Sequence, residues 1–293
     1  MTDLINLENE IFTLPDGREL GYAKYGHSNG KPVLFFHGIP GSRLQRNPDL
    51  AALKDLFICI YALDRPGTGL STYQKDRKLL DWANDVRTFI NGLGIEKFAV
   101  VGISGGGPFA LACAYQMPNR ITNVLLISAL APLHESELID KIDPKMRRLF
   151  NFAHRMPKLM NKLMEFAFLF LKDQFDVAFE KLVVDLPESD KELLKRPEIA
   201  AMLKNDVAQA FRQGSKGVVS DMKILSESWN FSLDQVRLPV QIWHGTADTI
   251  VPISLARFMA KNLPQAEIHF VEGAGHFMVL QFTKEIFSQI REI

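Results

Sequence analysis

The chain has 293 residues, 47% apolar and 23% charged, with 34 basic and 34 acidic side chains. That length can bury a large core, as one big domain or a domain with an insertion. Zero net charge removes the overall field that would recruit nucleic acid or an anionic membrane.

In chain order, Met1–Asn6 carries no basic segment and no long apolar run, and no later apolar stretch reaches membrane-spanning length. We therefore expect no signal peptide, no membrane span and a cytoplasmic protein. The cysteines, Cys59 and Cys113, lie in apolar runs without metal-ligand spacing and are expected as buried, reduced thiols. A β-hairpin is predicted over Ile11–Leu14 and Leu20–Tyr25, turned by Asp16-Gly17. Pro32–Phe36 is a continuous apolar run, expected as a strand buried on both faces, and it ends in His37-Gly38-Ile39-Pro40-Gly41. The next strand, Phe57–Leu63, ends in Asp64-Arg65-Pro66-Gly67-Thr68-Gly69. Leu79 to Leu93 is predicted helical, with Leu80, Trp82, Ala83, Val86, Phe89 and Ile90 on one face.

A strand over Phe98–Ile103 then stops at Ser104, followed by Gly105-Gly106-Gly107-Pro108 and a small-residue helix. Gly102-Ile103-Ser104-Gly105-Gly106 fits G-x-S-x-G, a strained strand-to-helix turn that exposes a nucleophilic serine at a helix N-terminus. Gly105-x-Gly107-x-x-Ala110 also fits a dinucleotide fingerprint, which requires an acidic residue about 20 positions on. The following strand, Val124–Ala129, ends without one. A plain glycine-rich turn is the third reading.

Strands alternating with helices predict a mostly parallel sheet flanked by helices, whose ligand crevice lies at the strand C-terminal ends. The alternation stops over residues 131–237, which we expect to form an inserted helical cap between the two parts of the core, 1–130 and 238–293. Met146, Leu149, Phe150, Ala153, Met156, Met160, Leu163, Met164, Ala167 and Phe170-Leu171 keep helical spacing across Pro157, which breaks or restarts the run. This stripe is expected as core between cap and sheet. Its sharper reading is a wall for an apolar substrate portion, and a basic amphipathic face on a membrane ranks last. Pro187 and Pro197 suit helix starts, and Gly214 a helix end. Pro239–Trp243 is a strand ending in His244-Gly245-Thr246-Ala247-Asp248; Ile253–Asn262 is a helix. Glu267–Val271 is the last strand, ending in Glu272-Gly273-Ala274-Gly275-His276-Phe277, and a closing helix runs from Glu285 through Ile293.

A serine hydroxyl needs a base, and the base an orienting acid. Asp248 and His276 end successive strands, giving the chain order Ser104, Asp248, His276. With the His37-Gly38-Ile39-Pro40 and Asp64–Gly69 loops, the chain resembles a capped serine hydrolase of the α/β-hydrolase superfamily. The resemblance implies an α/β-hydrolase fold, Ser104 as nucleophile, His276 as base and Asp248 as its orienting acid. It implies an oxyanion hole made by the N–H groups of Ile39 and Gly105. Aspartate-nucleophile reactions such as dehalogenation are disfavoured. The implied reaction is hydrolysis of a carboxylic ester or related acyl bond of a small, partly apolar substrate, with no metal and no organic cofactor. A ligand receptor that retains the triad, or a carbon–carbon bond hydrolase, is the alternative. The expected partner is a small-molecule substrate, without nucleic acid or membrane contact, and the chain is expected as a monomer or homodimer. Glu135 is the alternative acid; Asp64, Arg65, His37 and His244 are expected to brace loops.

Overall fold

The computed structural model describes residues 3–171 and 183–290, with no account of the side chains of residues 168–171. Eight strands form one sheet: β1 (Leu4–Thr13), β2 (Glu19–His27), β3 (Lys31–Phe36), β4 (Ile58–Leu63), β5 (Phe98–Ile103), β6 (Ile121–Ile127), β7 (Val240–Gly245) and β8 (Ala266–Val271). Their order is β1-β2-β4-β3-β5-β6-β7-β8. Both pairings of β2 are antiparallel, and all other neighbours are parallel. The hairpin strands are longer than predicted, because exposed Leu4 and Leu7 extend an edge strand whose outer positions lack a core signal.

Both faces of the parallel part are covered, which explains its continuous apolar runs. Leu34, Phe36, Phe98 and Val100 pack on one side, with Trp82, Val86 and Phe89 of the helix Leu79–Gly92. Val33, Phe35, Ala99 and Val101 pack on the other, with Ile286 and Phe287. Successive residues alternate between the two cores, as a strand requires. Burying each large apolar side chain of this kind contributes about 1.5–3 kcal/mol. The closing helix is shorter than expected, spanning Thr283–Phe287, and Ile293 lies outside the described residues.

The described residues between β6 and β7 form helices over Ser136–Ile139, Pro144–Arg155, Pro157–Leu171, Glu188–Leu194, Pro197–Ala210 and Lys216–Ser226. Pro197 opens a helix as expected, and Pro187 stands just before one. Asp143 begins the second helix by accepting N–H bonds from Lys145 and Met146 at 2.8 and 3.1 Å. The single stripe predicted there does not form one buried face. Phe150, Ala153 and Met160 are buried, whereas Leu149, Met156, Leu163 and Ala167 are exposed. Met156 leaves helical geometry (φ −135°, ψ 56°) and Pro157 starts a new helix, so the 3.6-residue phase is not carried across the joint. The side chains of Phe170 and Leu171 lie outside what is described.

Candidate active site

The C-terminal ends of β3, β5, β7 and β8 share one edge of the sheet, since these strands run parallel. Ser104 stands at the end of β5 with φ +51°, in the left-handed region that a non-glycine residue occupies at a cost of about 1–3 kcal/mol. The turn Ser104–Gly106 leads directly into the helix Gly107–Gln116, so the serine sits at a helix N-terminus. The turn is pressed hard against β3, where a Cβ on Gly106 would lie 2.1 Å from the carbonyl oxygen of Phe36. Ser104 is only 9% exposed.

The loop after β3 abuts this turn. A Cβ on Gly38 would lie 3.4 Å from Cβ of Ser104, and one on Gly105 would lie 2.8 Å from Cδ1 of Ile39. The main-chain segments at Ile39 and Gly105 are therefore neighbours beside the serine. Buried His37 braces the loop: its Nε2 accepts the Arg65 N–H at 3.3 Å, which leaves Nδ1–H to donate to the Gly38 carbonyl at 2.9 Å. Burial, with the Arg65 charge nearby, pushes its pKa well below the ordinary imidazole value, so the ring is neutral. Arg65 donates to the carbonyls of His37 and Gly38 at 2.6 and 2.8 Å. Asp64 accepts the N–H groups of Arg43 and Leu70. All three residues brace loops, as the sequence suggests.

Asp248 follows β7 and His276 follows β8. His276 Nδ1 lies 2.8 Å from Asp248 Oδ2, and the second carboxylate oxygen accepts the N–H groups of Ile250 and Val251 at 2.9 Å each. Burial opposes the Asp248 charge, but His276, His244 and the Val251 N–H outweigh it and hold the carboxyl below its ordinary range. Burial also opposes the cationic form of His276. The charge and hydrogen bond of Asp248, with a contribution from Asp190, nevertheless carry its pKa above the ordinary value of 6.5. His244 donates through Nε2 to the Val251 carbonyl at 2.8 Å, fixing the loop that carries Asp248. Glu135 is not part of this pair: its side chain is 57% exposed and faces His134 at 3.6 Å. Among the described residues no hydrogen bond joins Ser104 to His276.

Three buried carboxyls of the helical segment reach these same loops, and the sequence pattern singled out none of them. Asp221 accepts Arg65 Nε at 2.8 Å and is also paired with Arg77. Asp206 accepts both the N–H and the hydroxyl of Ser42 at 2.7 Å, and faces the Gln45 amide at 3.4 Å. The carbonyl of that amide accepts the Gly38 N–H at 2.7 Å. Asp190 accepts the N–H groups of His276 and Phe277. In sequence each is an acid inside an amphipathic helix, a common surface position. The local hint is the spacing, which sets Asp206 on the face of buried Ile199, Leu203 and Ala210, and Asp221 on that of Val218, Ile224 and Leu225.

Among the described residues no cluster of His, Cys, Asp or Glu is arranged to hold a metal ion, and no helix is long and apolar enough to cross a membrane. A family model described as alpha/beta hydrolase fold matches residues 31–283. The chain is 27% identical over 268 residues to a pimeloyl-[acyl-carrier protein] methyl ester esterase of Legionella pneumophila, covering 91% of this chain and 96% of that one. Its fold is similar to that of an esterase from Exiguobacterium antarcticum (TM-score 0.66, 19% identity, covering 96% and 97% of the two chains). It is likewise similar to a 2-hydroxy-6-oxo-6-phenylhexa-2,4-dienoate hydrolase from Rhodococcus (TM-score 0.69, 20% identity, covering 97% and 96%).

Proposed function

The chain belongs to the α/β-hydrolase family, and from that premise we propose that it is a serine hydrolase of carboxylic esters or related acyl bonds, with residues 131–237 as its cap. The observation that carries this reading is the Asp248–His276 hydrogen bond at 2.8 Å. It engages Nδ1 and thereby leaves Nε2 as the basic nitrogen, the tautomer a serine nucleophile requires. Ser104 Oγ attacks the acyl carbon while His276 Nε2 takes its proton. The N–H groups of Gly105 and Ile39 hold the carbonyl oxygen as it becomes anionic. The alcohol leaves with the proton from His276, giving an acyl-serine. Water, deprotonated by the same nitrogen, then releases the acid and restores the hydroxyl. Asp248 orients the imidazole and stabilises its cation throughout. Every bond change is served by a group of the protein.

The esterase relative supports an ester as substrate. The cluster of Leu186, Leu193, Ile199, Leu203 and Leu280 joins the helical segment to Ile250 and Phe277 beside the two catalytic loops, a packed core that fastens the segment next to them. A fluorophosphonate is expected to label Ser104 alone, and Ser104→Ala to remove labelling and lower kcat/KM on a p-nitrophenyl ester by at least about 10⁴-fold. Full turnover by Ser104→Ala would overturn the assignment. A series of p-nitrophenyl esters of increasing acyl length identifies the preferred chain. Labelling of Ser104 without turnover of any ester would move the reading to a ligand receptor or a carbon–carbon bond hydrolase.

A further inference from the structure

We propose that Asp190 is a positioning residue for His276, so that the cap supplies the group that holds the general base in place; this rests on the serine-hydrolase reading above. Asp190 lies in the helix Glu188–Leu194 and is fully buried. One carboxylate oxygen accepts the His276 N–H at 2.8 Å and the other accepts the Phe277 N–H at 3.0 Å. Two consecutive amides are thus gripped by one rigid group, which fixes the main chain on which the imidazole pivots. The seat is built for this carboxylate, because a Cβ on Gly275 would lie 2.2 Å from Asp190 Oδ2. Glycine at 275 is what lets the cap carboxyl approach the loop.

The arrangement does more than fasten one segment to another. Asp190 places a second carboxyl beside the base, with Asp248 on the imidazole itself. The groups that face Asp190 from the core are His276 and Asp248, and His244 stands behind them. On its own helix Glu188 and Glu192 are exposed and Lys191 is half-buried. Burial raises the Asp190 pKa, while the two N–H donors and His276 favour its charged form. A negative charge here favours cationic His276, so its removal lowers the pH at which the base becomes neutral.

The test is Asp190→Asn. Asparagine offers one acceptor and turns a donor toward the other amide, so it keeps the size but not the grip. We expect a folded protein whose kcat on the preferred ester falls about 10²-fold with little change in KM, the size of effect that a displacement of about 1 Å can produce. The midpoint of kcat/KM against pH should move below the wild-type value. The His276 ring, titrated by NMR, should move the same way, and that readout requires no turnover. An unchanged kcat and an unchanged His276 midpoint, even with a lower Tm, would overturn the proposal and leave Asp190 a structural anchor. Should the asparagine variant not fold, Asp190→Ser gives the same measurements. If neither folds, Asp190 is a folding determinant and the proposal falls. Failure of the underlying reading looks different: the wild type would then neither react with a fluorophosphonate nor turn over an ester, whatever the NMR titrations report.

Discussion

His276 is a buried imidazole whose pKa is raised above 6.5 by its carboxyl neighbours. In the proposed mechanism only neutral imidazole can take the serine proton, so the sign is fixed: kcat/KM should rise with pH and level off above the folded-state pKa, with a midpoint above that of a free histidine. A profile that is flat, or that falls over this range, would contradict the role of base. Asp248→Asn should lower kcat by about 10⁴-fold, because an amide facing Nδ1 favours the wrong tautomer. Glu135→Gln should leave kcat unchanged, since that side chain is exposed and faces His134. The positions of the candidates Ser104, Asp248 and His276 after strands were legible in the sequence, because each follows an apolar strand and is introduced by residues of special geometry. Asp190 was not legible, because the backbone it grips is 86 residues away in the chain.

The helix Pro197–Ala210 carries an acid on its buried face. Burial pushes the Asp206 carboxyl up to about 7, against the opposing effect of the two Ser42 hydrogen bonds. In the unfolded chain it titrates near 3.8. Between those values the folded protein holds a proton that the unfolded chain has released, so stability from this group falls as pH rises from about 4 to about 7. Above that window its contribution is constant. The difference in Tm between Asp206→Asn and wild type should therefore grow in favour of the variant across the window and then level off. A difference independent of pH would show that Asp206 is ionised throughout. Because Asp206 also contacts Gln45, which holds the Gly38 N–H, the same variant reports whether this helix steadies the loop beside Ser104.

At the scale of the molecule, the seam between the sheet and the helical segment holds fully buried ion pairs beside its apolar core. Asp221 pairs with both Arg65 and Arg77, and all three side chains are at most 1% exposed. Asp221→Ala would leave two cations buried without their counter-ion, which typically costs about 3–5 kcal/mol. We expect a correspondingly lower Tm and a single unfolding transition in both proteins, because the ion cluster and the core around Phe109 and Val219 span the seam. Two separated transitions in the wild type would show instead that the helical segment unfolds by itself.

The sequence by itself determined the alternation of strands and helices, the strained serine at the end of β5, and the two strand ends that carry Asp248 and His276. Those features are local: apolar period, turn residues and chain order each act over a few positions, and the sheet then gathers the strand ends on one edge. The tertiary structure alone decided how the helices Pro144–Arg155 and Pro157–Leu171 are phased against each other, because the joint at Met156 and Pro157 breaks the phase that a pattern count assumes. It alone paired Asp206 with Ser42 and Asp221 with Arg65, across 164 and 156 residues of chain. A carboxyl placed in a helix for its solubility and one placed there to hold a distant loop look the same until the fold removes water from one of them.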